Sequence, residues 1–295
     1  MTTVPPPPPK PSRPLPGKLP VGKPVADALD VVLDFGDTPL KDIGDKILVY
    51  APPGWGKTTL PAYAERPMIL KGPNENGYDT LLKYGNVPNV PSRDIQTWPE
   101  LRAVTQKLAV VQHDRKWLGL DSLTVIEMLC RQHVCDTYFG GDWGESKGAF
   151  GSWGKGEDKV EAEWCLWLND LERLTAKGMS IMPLCHSEVK TVKNPEGADY
   201  DSYQIALRPK TRAATERWAN AILFGRYVTA VDVDSKSANK NTAEQKGKGV
   251  GGRVRIMRCE NRDSATAKNQ MKFPETIDIP NDPSQAFAAI AKYLK

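Results

Sequence analysis

No run of about 18 apolar residues occurs in the 295-residue chain, so the sequence predicts no membrane-spanning helix. The first residues also lack the apolar core of a signal peptide, which leads to the expectation of a cytoplasmic protein. Cysteine is sparse: Cys130, Cys135, Cys165, Cys185 and Cys259 are scattered and odd in number. They make no disulfide framework and are expected to be reduced thiols. Cys130, His133 and Cys135 lie close enough to suggest zinc, but no second ligand pair accompanies them. Leu123, Ile126, Cys130, His133 and Val134 share one helical stripe instead, which predicts the buried face of a core helix. With 40% hydrophobic and 26% charged residues, the composition is that of an ordinary globular protein. The length suits one large α/β domain or two small ones.

Acidic residues are missing from residues 1–24, which carry Lys10, Arg13, Lys18 and Lys23 and 10 of the 25 prolines. Such a stretch cannot form a core. It is expected to be a disordered or polyproline-II arm, serving as a spacer or as a dock for a partner protein. Residues 235–258 set Lys236, Lys240, Lys246, Lys248, Arg253, Arg255 and Arg258 against Glu244 alone, so the remainder of the chain is net acidic. Positive charge gathered in this way suits contact with a phosphate backbone.

Beyond the arm, residues 25–295 read as one domain in which strand and helix patterns alternate. Strands are predicted at Lys46–Ala51, Pro67–Lys71, Trp117–Leu120, Ser180–Cys185, Tyr203–Leu207, Ala221–Val228 and Arg253–Cys259. Helices are predicted from Thr58, over Trp98–Gln112, after Ser122, over Lys159–Thr175 and near Ser284–Tyr293. This order predicts an α/β fold, a mostly parallel sheet covered by helices on both faces, with ligands outside the carboxyl ends of the strands. Pro183 conflicts with a central strand, because proline removes a ladder donor. Two segments interrupt the alternation: an aromatic, glycine-rich stretch at 138–156 and a lysine/glycine stretch at 235–252. Loops of that length inside a compact domain are usually functional or disordered.

The strand Lys46–Ala51 runs into Pro52-Pro53-Gly54-Trp55-Gly56-Lys57-Thr58-Thr59 and then into a helix. That is the layout of a phosphate-binding P-loop, with Ala51 standing where the first glycine is usual. Pro53, Gly54, Trp55, Gly56, Lys57, Thr58 and Thr59 would cradle phosphate with backbone N–H groups. Lys57 would reach the β- and γ-phosphates, and the Thr58 hydroxyl would ligate Mg²⁺. Asp121, at the end of a neighbouring strand, is placed to hold the same ion. Glu75 follows the second strand and is the candidate that activates water; His186, at the end of the fourth, is placed to feel the γ-phosphate.

These residues resemble phage-encoded RecA-like P-loop ATPases, the group associated with single-strand annealing and recombination. The resemblance spans roughly residues 44–280. It is carried by Ala51–Thr59, Glu75-Asn76-Gly77, Leu120-Asp121-Ser122-Leu123, the strand ending in His186, Ala267-Lys268-Asn269 and Phe273-Pro274. It implies a RecA-like fold, ATP and Mg²⁺ as cofactors, Glu75 as the water-activating base and His186 as γ-phosphate sensor, where RecA itself often has glutamine. It also implies a homo-oligomeric ring or filament, with Arg208, Lys210 and Arg212 as candidates to complete a neighbouring subunit's site. Single-stranded DNA would be the partner, in recombination, annealing or replication in the host cytoplasm. Tyr138, Phe139, Trp143, Phe150 and Trp153 would then stack bases, while Lys236, Lys240, Lys246 and Lys248 track phosphates. Two other readings stay open from the sequence: a P-loop nucleotide kinase, although its expected arginine-rich lid is missing, and a nucleotide-binding module without turnover.

Overall fold

The computed structural model describes the backbone of residues 42–232 and 248–294, and the side chains of 42–228 and 254–294. The Pro-rich arm at 1–24, Lys236, Lys240, Lys246 and the side chain of Lys248 lie outside the described residues.

Alternating burial on both faces builds the sheet. In β1 (Ile47–Ala51), Leu48 and Tyr50 face one core while Ile47, Val49 and Ala51 face another. Strand β4 (Trp117–Asp121) repeats the pattern with Leu118 and Leu120 opposite Trp117. So does β7 (Ala221–Asp232), with Ile222 and Phe224 opposite Ala221 and Leu223. Strands apolar on both faces are what a parallel sheet sandwiched between helices requires. Parallel ladders join β1 to β7 and to β5 (Ser180–Val192), and β5 to β4. They continue from β4 to β2 (Pro67–Lys71) and on to β3 (Ser92–Asp94). One strand, β5, therefore separates the P-loop strand from the strand bearing Asp121. Antiparallel β8 (Lys248–Arg258) and β10 (Thr276–Ile279) extend the sheet past β7, which also pairs with β9 (Lys268–Asn269).

Helices α3 (Trp98–Val110), α4 (Leu123–Phe139), α5 (Lys155–Thr175) and α6 (Pro209–Trp218) share the core of Leu48 and Tyr50. At its centre Trp98, Trp164 and Trp167 pack ring against ring, with centroids 5.0–5.9 Å apart. Helices α1 (Thr59–Ala62) and α7 (Pro283–Ala291) cover the opposite face with Leu60, Phe287 and Ile290. A short α2 (Gly77–Lys83) seats Tyr78 beside Ile69 and Val87. The mostly parallel α/β sheet flanked by helices, expected as a RecA-like P-loop fold, is the architecture observed.

Two expectations are corrected. The fourth predicted strand does not end at His186. It continues to Val192 and forms an antiparallel hairpin with β6 (Tyr200–Ile205), in register from Ser187↔Ile205 to Val192↔Tyr200. Second, the 138–156 segment is not an open loop. Tyr138 and Phe139 belong to α4, which ends at Gly140 in the left-handed conformation common after a helix (φ 60°), and the following chain folds over Phe150. Pro183 sits in a central strand, where the predicted strand Ser180–Cys185 placed it, opposite Leu120 of β4. Ile181 N–H donates to Asp45 O beside β1, so the two-residue period turns position 183 toward β1 as well. The recorded β1 ladder skips that point, with a bridge at Lys46↔Ile181 and pairing resumed at Val49↔Leu184. The missing donor is absorbed as a local gap.

Of the stripe predicted as a buried helix face, Leu123, Ile126, Cys130 and Val134 are buried, while His133 is only half-buried. Cys130, Cys135 and Val134 are fully buried, and no group of three His, Cys, Asp or Glu side chains is poised for a metal among the described residues.

Candidate active site

The P-loop bends at the carboxyl end of β1 through Gly54 (φ 75°) and Gly56 (φ 102°), where side chains are disfavoured. At Gly56 a Cβ would also come within 2.5 Å of Arg255 Nη1. The N–H groups of Gly54, Gly56, Lys57, Thr58 and Thr59 find no protein acceptor among the described residues. Unpaired donors crowded at a helix start form an anion cradle. Pro61 lies in the first turn of the short α1, where a missing N–H costs nothing. Lys57 Nζ donates to the carbonyls of Ala51 (2.8 Å) and Pro52 (3.1 Å), and burial pulls its pKa below the ordinary lysine value. A phosphate close to this ammonium would counter that effect of burial.

Beside the loop, the Thr58 hydroxyl donates to Asp121 Oδ2 at 2.8 Å. Burial pushes Asp121 up to about 6; the Thr58 bond opposes this and the Glu75 carboxylate adds to it. Glu75 is delivered by a tight turn: Gly72 N–H donates to Asp121 O (2.7 Å) and Glu75 N–H to Gly72 O (3.2 Å). The Ser122 hydroxyl donates to Glu75 Oε1 at 2.5 Å. Ser122 also stands at the N-cap of α4, but its hydroxyl makes no cap bond there. His186 Nε2 lies 3.6 Å from Glu75 Oε1, beyond a good hydrogen bond yet close enough for charge attraction. His186 and Ser122 together hold the Glu75 carboxyl below its ordinary range against the opposing effect of burial. Lys57, Thr58, Asp121, Glu75 and His186 are thus brought together by direct contacts or shared fields, with His186 placed where the parallel β1–β5 ladder stops rather than at a strand end. The peptide between Asp121 and Ser122 is cis.

The remaining candidates separate. Among the cations considered for a neighbour's site, Lys210 is paired with Asp158, and Arg212 is bonded to Gln204 and lies 3.9 Å from Glu188 and Glu216. Arg208 is exposed and makes no ion pair among the described residues. Its backbone N–H donates to the buried Glu127 carboxylate at 3.0 Å, and the Thr211 hydroxyl bonds to the same group. Among the aromatic residues, Phe150 is 4% exposed and packs on Phe139 and Trp143, so it is not free to stack a base. Trp143 is 43% exposed and Trp153 is 92% exposed, the latter held at φ 54°. Trp143 lines a cavity of about 530 Å³ with Asn74, Val125, Met128, Gln132 and Glu75 itself.

Sequence reasoning missed Ser122, Glu127, Tyr227 and Arg255. A serine after a strand-end aspartate reads as a helix cap, and the other three act across long sequence separations. Arg255 was counted among the cations available to a phosphate backbone; it is buried, donating to Trp55 O at 2.9 Å and to Pro280 O. The late Ala267-Lys268-Asn269 piece is structural: Asn269 bonds to Phe273 N and O, and Lys268 Nζ donates to the Glu216 and Arg217 carbonyls at the end of α6.

No curated protein matches the chain. Among solved structures, the flagellar accessory protein FlaH from Methanocaldococcus jannaschii aligns at 12% identity over 88% of this chain and 93% of that one, with a TM-score of 0.36. The model of the AAA_24 family, described as an AAA domain, matches residues 43–271, which take in the P-loop, Glu75, Asp121 and His186. The chain belongs to the AAA_24 family of AAA domains.

Proposed function

We propose that this chain is a RecA-like ATPase that binds Mg·ATP at the P-loop, hydrolyses it and couples turnover to single-stranded DNA as a homo-oligomer. The observation that carries the proposal is the set Lys57, Thr58–Asp121 and Glu75–Ser122–His186 gathered beyond the carboxyl ends of the central parallel strands. The donor set suits Mg²⁺: one hydroxyl against one buried carboxylate, with no all-protein cage among the described residues. Magnesium is typically held by one or two carboxylates together with substrate phosphates and water. Thr58 and Asp121 would hold it, and when bound it neutralises charge on the β- and γ-oxygens.

The chain's own groups divide the work. The cradle N–H groups and Lys57 bind and orient the phosphates. Glu75 stays ionised because His186 and Ser122 favour its charged form, which is the state that takes a proton from attacking water. Ser122 fixes Oε1 and leaves Oε2 for the water. His186 stands between Glu75 and the extended β5–β6 hairpin, where a change at the γ-phosphate would be felt. Arg208, exposed and anchored through Glu127, is the side chain best suited to reach a neighbour's nucleotide. Support for DNA contact comes from the exposed Trp153 and half-exposed Trp143, and from the clustered lysines in the sequence.

The test is phosphate release from ATP with and without single-stranded DNA, in the wild type and Lys57→Ala. DNA-stimulated release that Lys57→Ala abolishes is expected. Full turnover in that variant removes the P-loop assignment, and release indifferent to DNA removes the DNA partner. A phosphorylated small-molecule product points to a kinase; binding without release points to a module that does not turn over.

A further inference from the structure

Three consecutive carbonyls of the P-loop are held from outside the cradle. Tyr227 Oη donates to Gly54 O at 2.9 Å, Arg255 Nη1 to Trp55 O at 2.9 Å, and Thr59 Oγ1 to Gly56 O at 2.7 Å. In a planar trans peptide, a carbonyl and the N–H that follows it point in opposite directions. The peptide bonds of this loop are trans. Tying the Trp55 and Gly56 carbonyls outward therefore turns the Gly56 and Lys57 N–H groups inward. Those two are among the donors left without a protein acceptor. The Gly54 carbonyl shares its peptide with Trp55 N–H, which closes a long 3.4 Å bond to Pro52 O, so Tyr227 steadies the turn that begins the cradle.

Thr59 belongs to the loop's own helix, but Tyr227 and Arg255 come from β7 and β8. Their strands grip the loop in other ways too. Trp55 Nε1 donates to Arg226 O at 3.1 Å, and its ring lies so close to Gly225 that a Cβ there would meet it at 2.6 Å. The Arg255 guanidinium, 8% exposed, lies 5.6 Å from the Trp55 ring centroid and also donates to Pro280 O. By contrast, Asp121 and Glu75 are held from β4 and from the turn after β2, on the other side of β1.

We propose that Tyr227 and Arg255 are positioning residues for phosphate: the β7–β8 hairpin sets the peptide planes of the P-loop, and through them its affinity for a phosphate chain. The proposal rests on the P-loop reading of the site. It assigns phosphate affinity to one side of the sheet and water activation to the other, so displacement of the hairpin would alter binding without altering the chemical step.

The test is titration of the full-length chain with ATP and with inorganic tripolyphosphate, for wild type, Tyr227→Phe, Arg255→Met and Arg255→Lys. Tyr227→Phe and Arg255→Met should each weaken both ligands by about three- to tenfold, the worth of one hydrogen bond. Arg255→Lys, which keeps one donor, should recover part of the loss. KM for ATP should rise while kcat at saturation holds, and the thermal midpoint of Tyr227→Phe should match wild type because its hydroxyl sits at the surface. Unchanged affinity in Tyr227→Phe and Arg255→Met overturns the proposal, as does a loss for ATP that tripolyphosphate does not share. If Arg255→Met does not fold, Tyr227→Phe decides alone. Failure of the wild type to bind either ligand is a different result: it removes the P-loop reading itself.

Discussion

The P-loop and the segment from Gly140 to Gly156 are both glycine-rich, and both place glycines at positive φ, yet they use that freedom in opposite ways. In the P-loop, Gly54 and Gly56 let the backbone present its N–H groups, while the one aromatic side chain, Trp55, is fully buried. In the second segment the backbone is paired internally: Phe150 N–H to Asp142 O, Gly151 N–H to Gly144 O and Gly156 N–H to Phe150 O. There Phe150 is buried as a knot and Trp153 is left outside. One loop offers backbone and hides its side chain; the other hides backbone and offers a side chain. The first is suited to an anion, the second to a flat or apolar partner.

The sharpest way to test this division is to remove chemistry beside the first region, at Glu75 in the turn after β2, while leaving the second region untouched. Glu75→Gln keeps the shape and the acceptor for Ser122 but cannot take a proton. Turnover should fall by roughly 10²–10⁴-fold, the usual range for loss of a general base, with ATP affinity retained. Single-turnover phosphate release and nucleotide titration measure the two separately. A Glu75→Gln protein that keeps near wild-type turnover would move the base elsewhere.

Next in size is the knot. Phe150→Ala removes a ring packed on Phe139, Trp143 and Arg131, and should lower stability by about 3–5 kcal/mol in urea unfolding. The matched substitution Trp153→Ala should change stability by less than about 0.5 kcal/mol, because that ring is almost wholly in water. Its effect should appear instead as a loss of about 1–3 kcal/mol in binding a single-stranded oligonucleotide, read by anisotropy at fixed salt. Equal stability losses in the two variants would erase the contrast; unchanged oligonucleotide binding in Trp153→Ala would remove base stacking from this loop.

Much of this contrast was legible before any coordinates. The spacing Gly54–Thr58 between a strand pattern and a helix pattern marked the candidate cradle, because a glycine turn and a helix start are local features, whereas the ties from β7 and β8 that hold its carbonyls are not. Asp121 was legible for a related reason, since the carboxyl ends of buried parallel strands converge; His186 lies near it because the parallel β1–β5 ladder stops there, although β5 itself runs on to Val192. Phe150 was not legible, since a phenylalanine among glycines reads the same whether it is buried or displayed. Ser122 reads as a helix cap until the turn after β2 brings Glu75 to it. The hairpin beyond His186 was missed because its residues Ser187–Val192 are half-buried or exposed and lack a long apolar run. Arg255 and Tyr227 carry no local signature at all; their role arises from contacts across 200 and 173 residues.

Helix α4 joins the two regions, starting at Ser122 beside the proposed catalytic groups and ending at Phe139 beside the knot, and the smallest prediction lies between them. Glu127 is buried on this helix and accepts from Arg208 N–H and the Thr211 hydroxyl, yet burial outweighs those bonds and raises its pKa. A raised carboxyl keeps its proton to higher pH in the folded chain than in the unfolded one. Within that window the folded state binds more protons, so stability falls as pH rises from the ordinary glutamate range through the raised value, then levels off. Asp45, Asp121 and Glu216, also raised by burial, contribute in the same sense, so the absolute slope does not isolate Glu127. The difference between Glu127→Gln and wild type does. Unfolding free energies measured across the acid range should fall less steeply with rising pH in Glu127→Gln, which has no proton to lose at this position. Because the amide oxygen still accepts from Arg208, ATP turnover per assembled site should change little. Parallel stability curves for the two proteins would mean that Glu127 is neutral or ionised alike in both states, and that the tie between α4 and Arg208 is not electrostatic.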